Sequence, residues 1–175
     1  SDFDFINNQT TIGNPNLEPE QTWKSSLQWK QQLGARGSVS LMAFYDQIDD
    51  AQDFILTRRD TLYCSTAPVN DPLCVDTAAG NIGDGERYGL SIDATYPLDD
   101  FGIKGGILKF QSTLQDSEVT DPIDGQSRRI ADEEPWTYYF EFRQDIPEWK
   151  MAWGWDYFSA GPSKAFRLDE IQKED

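Results

Sequence analysis

Trp136-Thr137-Tyr138-Tyr139-Phe140-Glu141-Phe142-Arg143 is the stretch whose reading decides the fold. Trp136, Tyr138, Phe140 and Phe142 fall on one side of an extended chain, and Thr137, Tyr139, Glu141 and Arg143 on the other. Successive side chains of a strand point to opposite faces, so a period of two reads as a β-strand with one apolar face. Residues 88–98 repeat the pattern, with Tyr88, Leu90, Ile92, Ala94, Tyr96 and Leu98 opposing Gly89, Ser91, Asp93, Thr95 and Pro97. Four more stretches follow it: Trp23, Leu27 and Trp29; Val39, Leu41, Ala43 and Tyr45; Leu108, Phe110 and Leu114; and Met151, Trp153, Trp155 and Tyr157. In all six, the charges (Lys24, Lys30, Asp46, Arg87, Asp93, Lys109, Glu141, Arg143, Asp156) lie opposite the apolar face. The reading is an all-β, antiparallel up-and-down meander of about 6–7 strands. The strands are predicted near 22–32, 38–47, 86–98, 105–116, 135–145 and 150–159, with the start of another near 166–170. Its unpaired edges are expected at 23–32 and near Phe166.

One apolar face fits a soluble sandwich or a membrane barrel, and the connections choose between them. They alternate short and long: 33–37, 48–85, 99–104, 117–134 and 146–149. Membrane barrels have short turns on one side and long loops on the other. Tyr88 and Tyr96 are eight residues apart, roughly 26 Å along a strand, and a tilt of about 40° leaves a rise of roughly 20 Å, near the ~25 Å apolar band between aromatic girdles. The segment is therefore expected to be part of a transmembrane β-barrel. Only 38% of the residues are hydrophobic, yet six Trp, seven Tyr and ten Phe are among them. No apolar run approaches the ~18 residues of a membrane helix.

The net charge of −16 argues against a nucleic-acid partner, since phosphate binding relies on clustered Lys and Arg. Acidic runs at 46–53, 116–124 and 132–134 read as solvated loops. The chain has no histidine, so no His base serves a Ser or Cys nucleophile, and no carboxylate pair stands out for glycoside hydrolysis. We expect no catalysis, no cofactor and no resident metal. Asp49, Asp50 and Asp53, or Asp121 and Asp124, lack the spacing of an EF-hand loop. Cys64 and Cys74 flank a turn-rich segment and read as a local disulfide formed in an oxidising compartment. Closing that loop would contribute roughly 2–3 kcal/mol.

Several elements, in order along nearly the whole chain, resemble those of TonB-dependent outer-membrane receptors. Gly13-Asn14-Pro15-Asn16-Leu17-Glu18-Pro19-Glu20 resembles the family's NPxLxPE element. Gly37-Ser38-Val39-Ser40-Leu41, continuing to Phe44-Tyr45, Ile48 and Asp50, is similar to its GxVxLxxFYxxIxD strand. Asn81-Ile82-Gly83 with Glu86-Arg87-Tyr88-Gly89-Leu90 is similar to NxGxxxxYGxE, with Ser91 where Glu is common. Asp121-Pro122-Ile123-Asp124-Gly125, Arg128-Arg129 and Pro135-Trp136 resemble a later loop and strand. Nothing resembles the family's plug domain or TonB-contacting box, and the last residues, Gln172-Lys173-Glu174-Asp175, lack the family's terminal aromatic. The expectation is a fragment of the C-terminal half of the barrel.

The resemblance implies a bacterial outer-membrane location and contact with the lipid bilayer. It also implies energy from the TonB complex through a plug, and an imported small-molecule ligand: a ferric siderophore, a vitamin or a carbohydrate. Loop 48–85 is the largest candidate for ligand capture. Arg128 and Arg129 are candidates to contact an anionic ligand, against a competing pairing with Asp132, Glu133 or Glu134. The alternative from another class is a soluble antiparallel sheet that binds glycans through exposed aromatics.

Overall fold

The computed structural model describes residues 3–4, 9–58, 74–121, 125–166 and 171–174. In chain order the strands are β1 (Phe3–Asp4), β2 (Gln9–Ile12), β3 (Gln21–Leu33), β4 (Gly37–Asp49), β5 (Gln52–Arg58), β6 (Val75–Asn81) and β7 (Gly85–Pro97). They continue as β8 (Gly106–Thr120), β9 (Ser127–Arg128), β10 (Trp136–Ile146), β11 (Met151–Ala160), β12 (Ser163–Phe166) and β13 (Ile171–Glu174). The main sheet is an antiparallel meander in the order β11-β10-β8-β7-β4-β3, with β9 on the far end of β8. It does not close on itself among the described residues. Its edges are β3 and β11. The edge expected near Phe166 is therefore displaced: β12 pairs with β13 in a separate small sheet, and residues 167–170 lie outside the described ones.

The register shows why alternation was so legible. Leu27, Ala43, Leu90, Leu114 and Trp136 are successive cross-strand partners, as are Trp29, Leu41, Ile92, Ser112 and Tyr138. Each apolar set lands beside the next, because antiparallel partners point to the same side of the sheet. The result is one continuous apolar face across the meander. Among the described residues nothing packs over it: Trp23, Leu27, Trp29, Leu90 and Trp155 are 67%, 78%, 53%, 61% and 52% exposed. A water-soluble domain rarely leaves so large an apolar patch open, whereas a lipid-facing wall requires one. Nor is any helix of the described residues long and apolar enough to cross a membrane.

The opposite face carries a polar ladder. Lys109 pairs with Glu141 at 3.1 Å, Gln111 donates to Asp93 at 2.6 Å, and the Ser91 and Thr113 hydroxyls meet at 3.0 Å. All three are direct cross-strand partners. Gly89 is the exception that packing requires. A Cβ there would lie 2.6 Å from Phe44 Cζ and would meet the Leu114 carbonyl oxygen. Its missing side chain lets the Phe44 ring cross the strand.

Short turns close one end of the sheet. Residues 34–36 link β3 to β4, and 3-10 turns at Asp99–Phe101 and Pro147–Trp149 help link β7 to β8 and β10 to β11. Left-handed Gly102 and Lys150 cap these turns. Arg36 pairs with Asp99 between the first two turns.

The other end is built differently. Segment 48–85, expected as a long loop, contains the paired strands β5 and β6. Asp50 (φ 57°) and Gly83 (φ 96°) kink the ribbon where β4 passes into β5 and β6 into β7. Ala51 N donates to Gly83 O and Ile82 N to Ala51 O, both at 2.8 Å, so pairing continues through the kink. β6 also takes β2 in parallel. The buried apolar cluster sits at this end, with Ile48, Ala51 and Val119 packed against Ile82 and Ile130.

Candidate functional site

Three segments that look separate in sequence converge at the long-loop end. The Asn81 side chain is the meeting point. Its Oδ1 accepts from Glu18 N at 2.9 Å, while Nδ2 donates to Glu18 O at 3.0 Å and to Asp50 O at 2.9 Å. Gln52 adds a bond from Nε2 to Glu18 O at 2.8 Å, and its backbone N donates to Glu20 Oε2 at 3.0 Å. Upstream, Asn14 Nδ2 donates to Ala79 O at 3.0 Å, and Asn14 Oδ1 accepts from Asn16 N. The Asn14–Glu20 stretch thus lies along β6 as a clasp, satisfying backbone groups that a free extended segment would leave to water. Pro15 and Pro19 hold φ near the extended value, so little entropy is lost on clasping.

Arginines tie the second long connection to the same region. Arg128 Nη2 reaches Asp53 at 2.7 Å and its Nε reaches Asp121 at 2.6 Å, with all three side chains at most 16% exposed. Because Asp53 belongs to β5, this bridge joins the two long connections. Arg87 holds Asp46 at 2.7 Å and Glu133 at 3.1 Å. Arg129 contacts Asp116 at 3.3 Å and donates to Gln115 O at 3.0 Å. Two buried polar atoms lack a hydrogen-bond partner among the described residues, Arg129 Nε and Glu133 Oε2.

These contacts revise the charge reading. The acidic run 46–53 is not simply solvated, since Asp46 is 5% exposed and bound to Arg87. The competing pairing for Arg128 and Arg129 also changes, with acids from other stretches taking both arginines. Their neighbour in sequence, Glu133, goes to Arg87. Asp53 and Asp121, weighed as parts of two cation sets, instead share Arg128. No group of three metal-ligating side chains occurs among the described residues. Cys74 is fully buried beside β6, while Cys64 lies outside the described residues, as does Asp124.

Sequence reading quoted Asn81 in a motif without giving it a task, passed over Gln52, and weighed Asp53 and Glu133 for other partners than the ones they take. The only local signal was Asp50, a residue type that tolerates the left-handed region. Asn81 and Asp50 are 31 residues apart in the chain, and Arg128 and Asp53 are 75 apart, so no local pattern could pair them.

On the polar face of the wall, a groove of about 550 Å³ is lined by neutral groups such as Gln28, Ser40, Gln111 and Thr137, with Asp93 and the rings of Tyr139 and Phe158. It offers hydrogen bonding without a concentrated charge.

Comparison with protein families gives one match: a model described as "TonB dependent receptor-like, beta-barrel" matches residues 2–172. Neither the curated proteins nor the solved structures give a match.

Proposed function

Since the chain belongs to the TonB-dependent receptor family, whose barrels are outer-membrane receptors, we propose that it forms part of a barrel wall serving active uptake of a scarce small solute. One observation carries this reading: a continuous aromatic face across six strands has no protein layer over it among the described residues, and lipid is the solvent that such a face suits. The same observation disfavours the soluble glycan-binding sheet, because a sheet in water would have to cover that face.

The polar face then looks into the lumen, where it meets water and a plug domain through which the TonB complex delivers energy. The long-loop end forms the outer vestibule. The β5–β6 ribbon is its largest part, and a Cys64–Cys74 disulfide pins the connection between those strands. Arg128 and Arg129 stand differently toward a ligand. Arg128 is a structural cross-brace, 10% exposed between two acids. Arg129 is 31% exposed, so of the two it is the better candidate to contact an anionic chelate. A ferric siderophore, a vitamin and a carbohydrate remain the substrate classes to compare.

Two measurements test the reading. The receptor containing this chain should partition into detergent and show heat-modifiable gel mobility. A receptor that stays monomeric in water without detergent would sink the wall assignment. Binding of a ferric chelate, a corrinoid and an oligosaccharide should then be compared between wild type and Arg129→Ala. Unchanged affinity for every one removes Arg129 from the site.

A further inference from the structure

The wall strands sort their exposed apolar side chains to one side, with a single exception. Among the described residues of β3, β4, β7, β8, β10 and β11, the large exposed ones stand on the outward face, save Phe158. Phe158 is 61% exposed on the polar face, in alternation with Trp155 and Tyr157 on the other. A phenyl ring left open there gains nothing from lipid and keeps its apolar surface in water.

Its surroundings form a groove. Phe158 is the cross-strand partner of Tyr139, Tyr139 of Gln111, Gln111 of Asp93 and Asp93 of Ser40. The two rings line the groove of about 550 Å³, a size suited to a small ligand. Most of the remaining lining is hydroxyl and amide: the Ser91 and Thr113 hydroxyls meet at 3.0 Å, and Gln28 Nε2 donates to Ser40 Oγ at 2.9 Å. A hydroxyl has one donor and two acceptor positions, so these pairs keep capacity for a ligand. Asp93 is the one charged side chain lining the groove among the described residues, and Gln111 donates to it at 2.6 Å. A carboxylate only accepts, so its other lone pairs call for a ligand rich in donors.

The same chemistry turns an anion away. Lys109, two residues from Gln111 on β8, is held by both oxygens of Glu141. Lys30 shares the row of Asp93 but lies on β3, five strand spacings from Phe158, or roughly 24 Å along the sheet. Arg87, Arg128 and Arg129 each hold a carboxylate. The chain carries 31 acidic against 15 basic residues, a field that disfavours anionic solutes. Ring faces beside hydroxyls, amides and one acceptor match a molecule with C–H groups on its faces and hydroxyls around its rim. A sugar ring has that form.

We propose that this groove is a subsite for a neutral oligosaccharide. Phe158 and Tyr139 receive the apolar face of a sugar ring, and Asp93 with Gln111 takes its hydroxyls. This rests on the uptake reading above and names its substrate class, and the test separates the two.

The receptor containing this chain, in detergent, is titrated calorimetrically with maltohexaose, xylohexaose, N-acetylchitohexaose and ferric citrate, as wild type, Phe158→Ala and Phe158→Tyr. At least one hexaose should bind, roughly tenfold more weakly in Phe158→Ala, with recovery in Phe158→Tyr. Binding of ferric citrate alone, or of no probe, overturns the inference and leaves the uptake reading standing. So does hexaose binding that Phe158→Ala does not change. If that variant lowers the melting temperature with hexaose affinity unchanged, Phe158 packs against the plug, and the inference again fails. A receptor that stays monomeric in water without detergent sinks both readings.

Discussion

The wall and the loop end of this chain are held together by different physics. In the wall, six strands are joined by their backbone ladders, and neither face has a buried core. At the loop end, a small apolar cluster, the Asn81 clasp and arginine bridges do the joining. The first arrangement suits an apolar solvent, in which unpaired backbone groups are intolerable and apolar side chains need no cover. The second is that of a water-soluble domain, which must bury its own apolar groups and pair its buried charges. The border falls near Ile48 and Val119, where the aromatic face gives way to acids.

The comparison can be broken most forcefully at the arginine brace. Arg128→Ala removes the cation that Asp53 and Asp121 share in a largely buried setting, and should destabilise the loop end by about 3–5 kcal/mol. Hydrogen exchange should accelerate in β5, β6 and β9 but not in β3 or β10. Uniform acceleration would mean that the two regions are one cooperative unit.

In the wall, Ile92→Arg places a charge on the outward face between Tyr88 and Tyr96, with an expected cost of about 2–4 kcal/mol in vesicles. The neighbouring lumen-facing Ser91→Arg should cost much less. Equal losses in denaturant titrations would contradict the assignment of faces. Gly89→Ala forces a methyl against Phe44 and should cost about 1–3 kcal/mol; Phe44→Leu in the same chain should recover part of that loss.

Asn81→Ala is the mildest of the set. It removes bonds that are mostly exposed, so a loss of about 1–2 kcal/mol is expected. Proteolysis should report it as faster cleavage within the Asn14–Glu20 stretch while the wall stays resistant. Unchanged cleavage would show that the prolines, not Asn81, hold the segment.

These contrasts also explain what could be read in advance. Alternation located the wall strands because one residue of slip would turn Trp136, Tyr138 and Phe140 toward water and Glu141 toward lipid. The turns were legible because short links between antiparallel neighbours leave few choices. Segment 48–85 was harder: it reads as a polar loop, yet β5 and β6 pair within it. Its strands depend on partners in β2 and on the clasp rather than on a hydrophobic period of their own. The arginines were visible as candidates, but Asp53 lies 75 residues from Arg128, and Asp116 and Asp121 precede the arginines where the reading looked to the acids that follow them.

Sequence alone determined the two faces of this protein, since a period of two assigns each side chain to the apolar or the polar face before any neighbour is known. Tertiary structure decided which charges meet, which motif residues touch, and where the wall stops and the loop domain begins. A face is a property of a single strand. A clasp or an ion pair exists only after chain segments dozens of residues apart have been brought within a few ångströms.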